Sequence, residues 1–243
     1  PVVRGLMSDL DAVEAMLPSG TKERRRFDAF AKPYRGIFPD VIAYQHISFP
    51  DMTVARRTSP VVIDGRPDEA AWQASSLPAF QRSFAGGAAR MPAPQVRFLW
   101  DDEGLYLSVD SPAPVKVDAD LWKGDSVELF FTRGNGSPHL YQFVLASSGA
   151  YEDWYKQLDP PRLHDANWKA AGAKYVARAD GGWTGELFVP WSALRDAAPK
   201  SGDVWKANII SNRQLPAYEN QSVSPTLQNN RRVEMYSRLR FEK

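Results

Sequence analysis

Asp125 and Glu128 are the first pair in this chain whose types and spacing suggest chemistry. Glycoside hydrolysis needs two carboxyl groups about 5–5.5 Å or about 6.5–9.5 Å apart across the scissile bond. Three residues apart on a strand, however, side chains point to opposite faces, so these two acids cannot form such a dyad unless the strand is bulged. Asp101-Asp102 falls at the predicted hairpin Asp101-Asp-Glu-Gly104, where acids serve as solvated turn formers. His46, His139 and His164 lack the i,i+4 spacing of a helical metal site. The chain holds no cysteine, which excludes disulfides, thiol nucleophiles and zinc–thiolate or iron–sulfur centres. A serine elbow, a phosphate loop and a dinucleotide glycine pattern are all missing, and Gly134-Asn-Gly136 reads as a turn. We therefore expect no enzyme and no required cofactor.

The elements that must position any site fall into two regions. Over residues 1–52 the texture is helical. Ser8 with Asp11 resembles a capping box, and Leu10, Val13, Met16 and Leu17 recur at helical spacing until Pro18-Ser-Gly20. A second helix is predicted after Thr21 and before Pro33, with Phe27 and Phe30 inward and Lys22, Arg24, Arg25 and Arg26 on a solvated face. From Thr53 to residue 243, short alternating segments are separated by Gly, Pro, Asn and Asp. Gln95–Trp100, Leu105–Val109, Ser126–Phe131, Leu140–Leu145, Ala173–Ala177, Trp183–Val189, Val204–Ile210 and Tyr236–Phe241 each read as a strand. Eight or more strands without helix-length crossovers predict a mainly β fold: an antiparallel β-sandwich, immunoglobulin- or jelly-roll-like, behind a short helical extension.

Composition narrows the partner. The 243 residues are 43% apolar, 12% aromatic and 24% charged, a globular mixture able to bury a core. Thirty Lys+Arg against 29 Asp+Glu leave a net charge of +1, so no field steers the chain onto nucleic acid or an anionic membrane. No run approaches the ~18 apolar residues of a membrane span, so no membrane insertion is expected. Because it opens on Pro1, the chain is expected to derive from a longer, processed polypeptide, with other domains as possible partners.

Five motifs, in order, carry a resemblance. Val62-Ile-Asp-Gly-Arg-Pro-Asp-Glu-Ala-Ala-Trp72, Val96-Arg-Phe-Leu-Trp-Asp-Asp-Glu-Gly-Leu-Tyr106, Trp122-Lys-Gly-Asp-Ser-Val-Glu-Leu-Phe130, Gly182-Trp-Thr-Gly-Glu-Leu-Phe-Val-Pro-Trp191 and Gly202-Asp-Val-Trp-Lys-Ala-Asn208 follow one another. Together they resemble the family 9 carbohydrate-binding modules and their DOMON-like relatives over residues 53–243. The resemblance implies a non-catalytic module, secreted or periplasmic, that holds a polysaccharide or oligosaccharide. It also implies that Trp122 stacks on a sugar ring while Glu128 accepts hydrogen bonds from its hydroxyls. The residue types suit that work: an indole face matches the C–H face of a pyranose, and a carboxylate makes charge-assisted bonds. By alternation Glu128 shares a face with Ser126 and Phe130, opposite Val127, Leu129 and Phe131.

The pattern departs from the family at three points. Val144 stands where the family has a sugar-binding arginine, Ile210 where it has a glutamine, and a second stacking tryptophan is missing from Val223–Tyr236. Gln142, on the face of Val144, and Asn212, on the face of Ile210, are the candidate replacement amides, whereas Arg213 alternates onto the other face. Tyr151, Trp154 or Tyr155, in a stretch read as loop-rich, either supplies a second aromatic wall or packs beneath that loop; Trp154 is the candidate carried forward. The resemblance also makes calcium a possible structural ion, with Asp64 and Asp68, or Asp118 and Asp120, as available acids. Trp72, Trp183, Trp191 and Trp205 read as packing residues, with Asp64-Gly65 a tight turn and Asp68–Trp72 a short helix. Two alternatives stay open: an interaction module whose sugar site has decayed, and a haem-binding DOMON-like domain using a Met with a His or a Lys, for which Met91, Met235 and His139 are the residues considered.

Overall fold

The computed structural model describes residues 2–44, 49–75, 80–82, 89–134, 136–158, 165, 167–226 and 230–243. His46 and His164 lie outside the described residues. The chain divides into two compact units, one helical and one of strands.

The helical unit is a hairpin of α1 (Val2–Met16) and α2 (Lys22–Tyr44). Ser8 lies inside α1, so the expected capping box does not form there; its residues sit past the first turn, where the amides are already paired. The cap that does form is Thr21, whose Oγ1 accepts the Arg24 amide at 3.1 Å. Helix α2 continues through Pro33, against expectation. A proline removes one backbone bond, and beyond it Arg35 reaches back to Asp11 of α1 at 2.7 Å. Two more predictions change here. Arg24 pairs with Glu14 and Asp28 instead of standing free in solvent, and Phe30 is 57% exposed instead of buried.

The second unit is mainly β. Its strands are β1 (Met52–Arg56), β2 (Gln81–Arg82), β3 (Gln95–Trp100), β4 (Gly104–Ser111), β5 (Ser126–Thr132), β6 (His139–Ala146), β7 (Tyr151–Gln157), β8 (Lys174–Asp180), β9 (Gly182–Pro190), β10 (Val204–Arg213), β11 (Glu219–Ser222) and β12 (Ser237–Phe241). Hydrogen bonding runs in the order β7-β6-β5-β10-β12-β1-β3-β4-β9-β8, with β11 on β10 and β2 on β11. Strand β1 changes partner midway: Met52–Val54 pair with β12 and Ala55–Arg56 with β3, both in parallel. The predicted sandwich of two separate antiparallel sheets is thus modified, because one strand stitches both halves into a continuous ladder and does so in parallel. Every other pairing is antiparallel.

Alternation explains which face is buried. Val127, Leu129 and Phe131 of β5 and Tyr141, Phe143 and Leu145 of β6 meet Phe98, Leu107, Val109 and Leu187 from the other half in one core. Trp183, Trp191 and Trp205 belong to that core as expected. Trp72 is fully buried in a second cluster with Ile63, Leu99 and Tyr106, dropped there by a 3-10 turn at Ala70–Ala74. Glu186, also fully buried, accepts the amides of Asp64 and Gly65 at 3.0 and 2.9 Å and Trp72 Nε1 at 3.2 Å, so the first motif is tied to the fourth. Gly65 is needed there: its φ is +86°, and a Cβ would lie 3.2 Å from Val176 and Arg178. Asp101 is buried, not solvated: it takes the amides of Glu103 and Gly104 and binds Arg57 and Tyr106. Arg57 and Tyr106 enclose the first acid of the hairpin while Asp102 stays out.

Candidate functional site

The outer face of β7-β6-β5-β10-β11 carries the candidate residues. Ahead of β5 the chain makes two consecutive turns, in which Asp118 Oδ1 takes the Asp120 amide at 2.9 Å and Asp120 Oδ1 takes the Trp122 amide at 3.0 Å. Asp120 also pairs with Lys123, and that bond, with the Trp122 amide, holds its carboxyl below the usual range. Gly124 permits the tight return, since a Cβ there would lie 3.0 Å from the Asp118 amide and 3.1 Å from Lys116 O. Leu121 anchors the loop by packing with Val144, Ala146 and Trp154. Trp122 is left 51% exposed and stacked on Trp154, centroids 5.6 Å apart and planes 11° from parallel.

The stretch read as loop-rich is in fact strand β7, and its alternation separates the three aromatics. Trp154 lies opposite Gln142 on the outer face. Tyr155 turns inward, buried, with its hydroxyl 2.7 Å from His139 Nδ1, and Tyr151 packs edge-on against Tyr175 in the core. Of the candidate walls, Trp154 alone reaches the site.

Beside the two indoles lies a polar cluster. Glu128 accepts Gln142 Nε2 at 2.8 Å and Asn212 Nδ2 at 2.9 Å. These partners are diagonal neighbours, because directly opposite Glu128 stand Val144 and Ile210. Asn212 Oδ1 in turn accepts Asn220 Nδ2 at 2.5 Å and the Tyr218 hydroxyl at 3.4 Å. Burial raises the Glu128 carboxyl above its ordinary range, against the pull of the two amides and of Arg231. Arg231 lines the same depression as Gln142 and Trp154. It brings a cation near Glu128 from the segment before β12, although the strand position expected to hold an arginine is Val144.

Beneath this face Asp125 and Arg213 form a buried ion pair, 3.4 Å apart, with both side chains about 1% exposed. Arg213 also donates to Ser111 Oγ and Pro114 O, while Asp125 takes the Gln214 amide. The two motif acids therefore point apart, Glu128 outward and Asp125 inward.

The structure thus gathers Trp122, Trp154, Glu128, Gln142 and Asn212. Asp64 and Asp68 lie elsewhere, and the Asp64 carboxylate accepts the Arg66 amide of its own turn. Among the described residues no group of three or more His, Cys, Asp or Glu gathers at one point. His139 is engaged by Tyr155, and Met235 is buried in a 3-10 turn. Sequence reasoning missed Tyr218, Asn220 and Arg231. The signal for Tyr218 was available, since an aromatic in the Leu215-Pro-Ala-Tyr218 hairpin between two strands has little to pack on; it is 62% exposed.

Comparison with known proteins bears on the family and the fold. The chain is 25% identical over 151 residues to endo-1,4-beta-xylanase A of Thermotoga neapolitana, a match that covers 59% of this chain and 13% of the xylanase. The chain therefore spans a small part of that relative's length. In fold it is similar to a protein from Bacteroides uniformis, with a TM-score of 0.57 at 17% identity over 80% of this chain and 100% of the other. It is also similar to a family 9 carbohydrate-binding module from Caldicellulosiruptor kristjanssonii solved with cellotriose, with a TM-score of 0.56 at 14% identity over 79% of this chain and 94% of that one. At these identities the two structures speak for the fold alone. The profile of the family described as Carbohydrate family 9 binding domain-like matches residues 63–214, so the five motifs, the fold and the profile converge: the chain belongs to that carbohydrate-binding family.

Proposed function

We propose that the β unit is a non-catalytic module that holds a neutral oligosaccharide, or the end of a polysaccharide, against its outer face. The observation that carries this reading is the exposed indole of Trp122, backed by Trp154 and adjoining the Glu128–Gln142–Asn212 cluster. Apolar area for a pyranose face and oriented polar groups for its hydroxyls stand side by side. The fold reads as a two-layered sandwich whose halves β1 joins. Because Val144 and Ile210 neither donate nor accept, the affinity should be modest, about 10 μM to 1 mM. A cellotriose-bound relative makes that sugar the natural first ligand. A secreted or periplasmic setting, within a larger polypeptide, fits a xylanase relative of which this chain matches 13%.

One observation favours a second reading, an interaction module with a decayed sugar site: both Glu128 oxygens are already engaged by side chains of the same chain. Calorimetry with cellotriose on wild type and Trp122→Ala separates the two. Binding lost with the indole supports the glycan reading, and no binding by wild type to a broad glycan array supports the other.

A further inference from the structure

Glu128 is 6% exposed, and each of its oxygens already accepts an amide, which leaves it poorly placed to meet a ligand itself. Its charge nevertheless dictates everything beyond it. An ionised carboxylate only accepts, so Asn212 must turn Nδ2 towards it and Oδ1 away. Asn212 Oδ1 then requires a donor, which obliges Asn220 to present Nδ2, at 2.5 Å. The chain of amides has a single direction and ends on Asn220 Oδ1. That carbonyl belongs to a residue 9% exposed and has no partner among the described residues. Two positions along β11, on the same face, Ser222 Oγ is likewise buried and unpartnered. Buried acceptors without a donor are destabilising and rare, and a hydroxyl donated by a ligand would satisfy them.

Tyr218 reaches the same place. Its ring is 62% exposed and its hydroxyl contacts Asn212 Oδ1 at 3.4 Å, a long bond on an oxygen that Asn220 already serves. A ligand that stacks on the ring would displace that hydroxyl from Asn212 and from the Asn220 side chain beside it. Directly opposite Glu128, Val144 on β6 and Ile210 on β10 offer a ligand nothing polar.

We propose that Glu128 acts as a positioning residue for a one-way amide relay through Asn212 to Asn220, and that the Asn220 carbonyl, beside Tyr218, accepts a hydroxyl of the bound sugar. This shifts the polar half of the site from β6 to the β10–β11 hairpin and makes Tyr218 the second aromatic wall. It rests on the glycan-binding reading above.

The test is calorimetry with cellotriose, glucose and a set of glucoses in which one hydroxyl at a time is replaced by fluorine, which cannot donate. In wild type one fluoro position should weaken binding about tenfold, and in Asn220→Ala cellotriose should weaken about tenfold with no further loss at that fluoro position. Tyr218→Ala should weaken cellotriose binding while Tyr218→Phe retains it, because the ring stacks and the hydroxyl is only displaced. A merely structural Asn220 would not erase the fluorine effect; if Asn220→Ala does not fold, Asn220→Ser serves in its place. Unchanged cellotriose affinity in Asn220→Ala and Tyr218→Ala, with binding still lost in Trp122→Ala, would overturn the relay and leave the glycan reading standing. Should no sugar bind, or Trp122→Ala bind as wild type does, the glycan reading fails and the relay with it.

Discussion

Trp122 lies face to face on Trp154, with ring centroids 5.6 Å apart. A sugar held between two rings needs them about 7–8 Å apart, twice the ~3.5–4.0 Å contact distance. The indoles are therefore one platform and not two jaws, and a ligand meets the outer face of Trp122. Truncating Trp122 to alanine should lower cellotriose affinity tenfold or more, roughly 1.4 kcal/mol or above. Trp154→Ala should have a smaller effect, because it removes the support and keeps the contact; calorimetry on both variants tests the order.

Trp72→Ala should do the opposite. The side chain is fully buried and its Nε1 binds Glu186, so truncation should destabilise the fold by about 3–5 kcal/mol while folded molecules keep their sugar affinity. Urea denaturation beside calorimetry separates the two effects.

Arg213→Ala leaves the Asp125 carboxylate buried without its cation, and a loss of about 3–5 kcal/mol is expected. The double variant Arg213→Met with Asp125→Asn should recover much of it. Since Asp125 adjoins Gly124 and Arg213 holds Pro114 O, the single variant should also loosen the Trp122 loop and weaken sugar binding. Equal stability of single and double variants would contradict this account.

Hydrolysis should be absent. Asp125 points inward to Arg213 and Glu128 outward to two amides, so this pair does not flank a scissile bond. Release of reducing ends from xylan or β-glucan that disappears with Glu128→Gln would refute the assignment.

Acid should act in two directions. Burial raises Glu128 and Glu186 above their ordinary 4.5. As pH climbs from that value through their folded pKa, the unfolded chain releases protons first and stability falls. Asp101 behaves oppositely: burial pushes it up, but the Glu103 and Gly104 amides and Arg57 outweigh that, so its contribution is lost as pH falls below 3.8. Glu128→Gln should flatten the decline of stability above pH 4.5, as measured by urea midpoints across the range.

Much of the fold was legible in the residues themselves. The strand at Gln95–Trp100 emerged with its observed bounds, and Val127, Leu129 and Phe131 turned inward as alternation required, because side-chain direction along a strand is a local property with period two. Strands β7 and β11 escaped notice since Tyr-Glu-Asp-Trp-Tyr-Lys-Gln and Glu-Asn-Gln-Ser are polar enough to read as loop, and their extended form comes from pairing with β6 and β10. Trp122 and Glu128 could be named from their motif. That Trp154 backs Trp122 across 31 intervening residues, that Glu128 reaches past Val144 and Ile210 to diagonal amides, and that the Tyr218 hydroxyl meets Asn212 were all decided by strand register. Residue types and local periodicity travel with the sequence; which of them become neighbours depends on long-range pairing, and only the folded chain sets that.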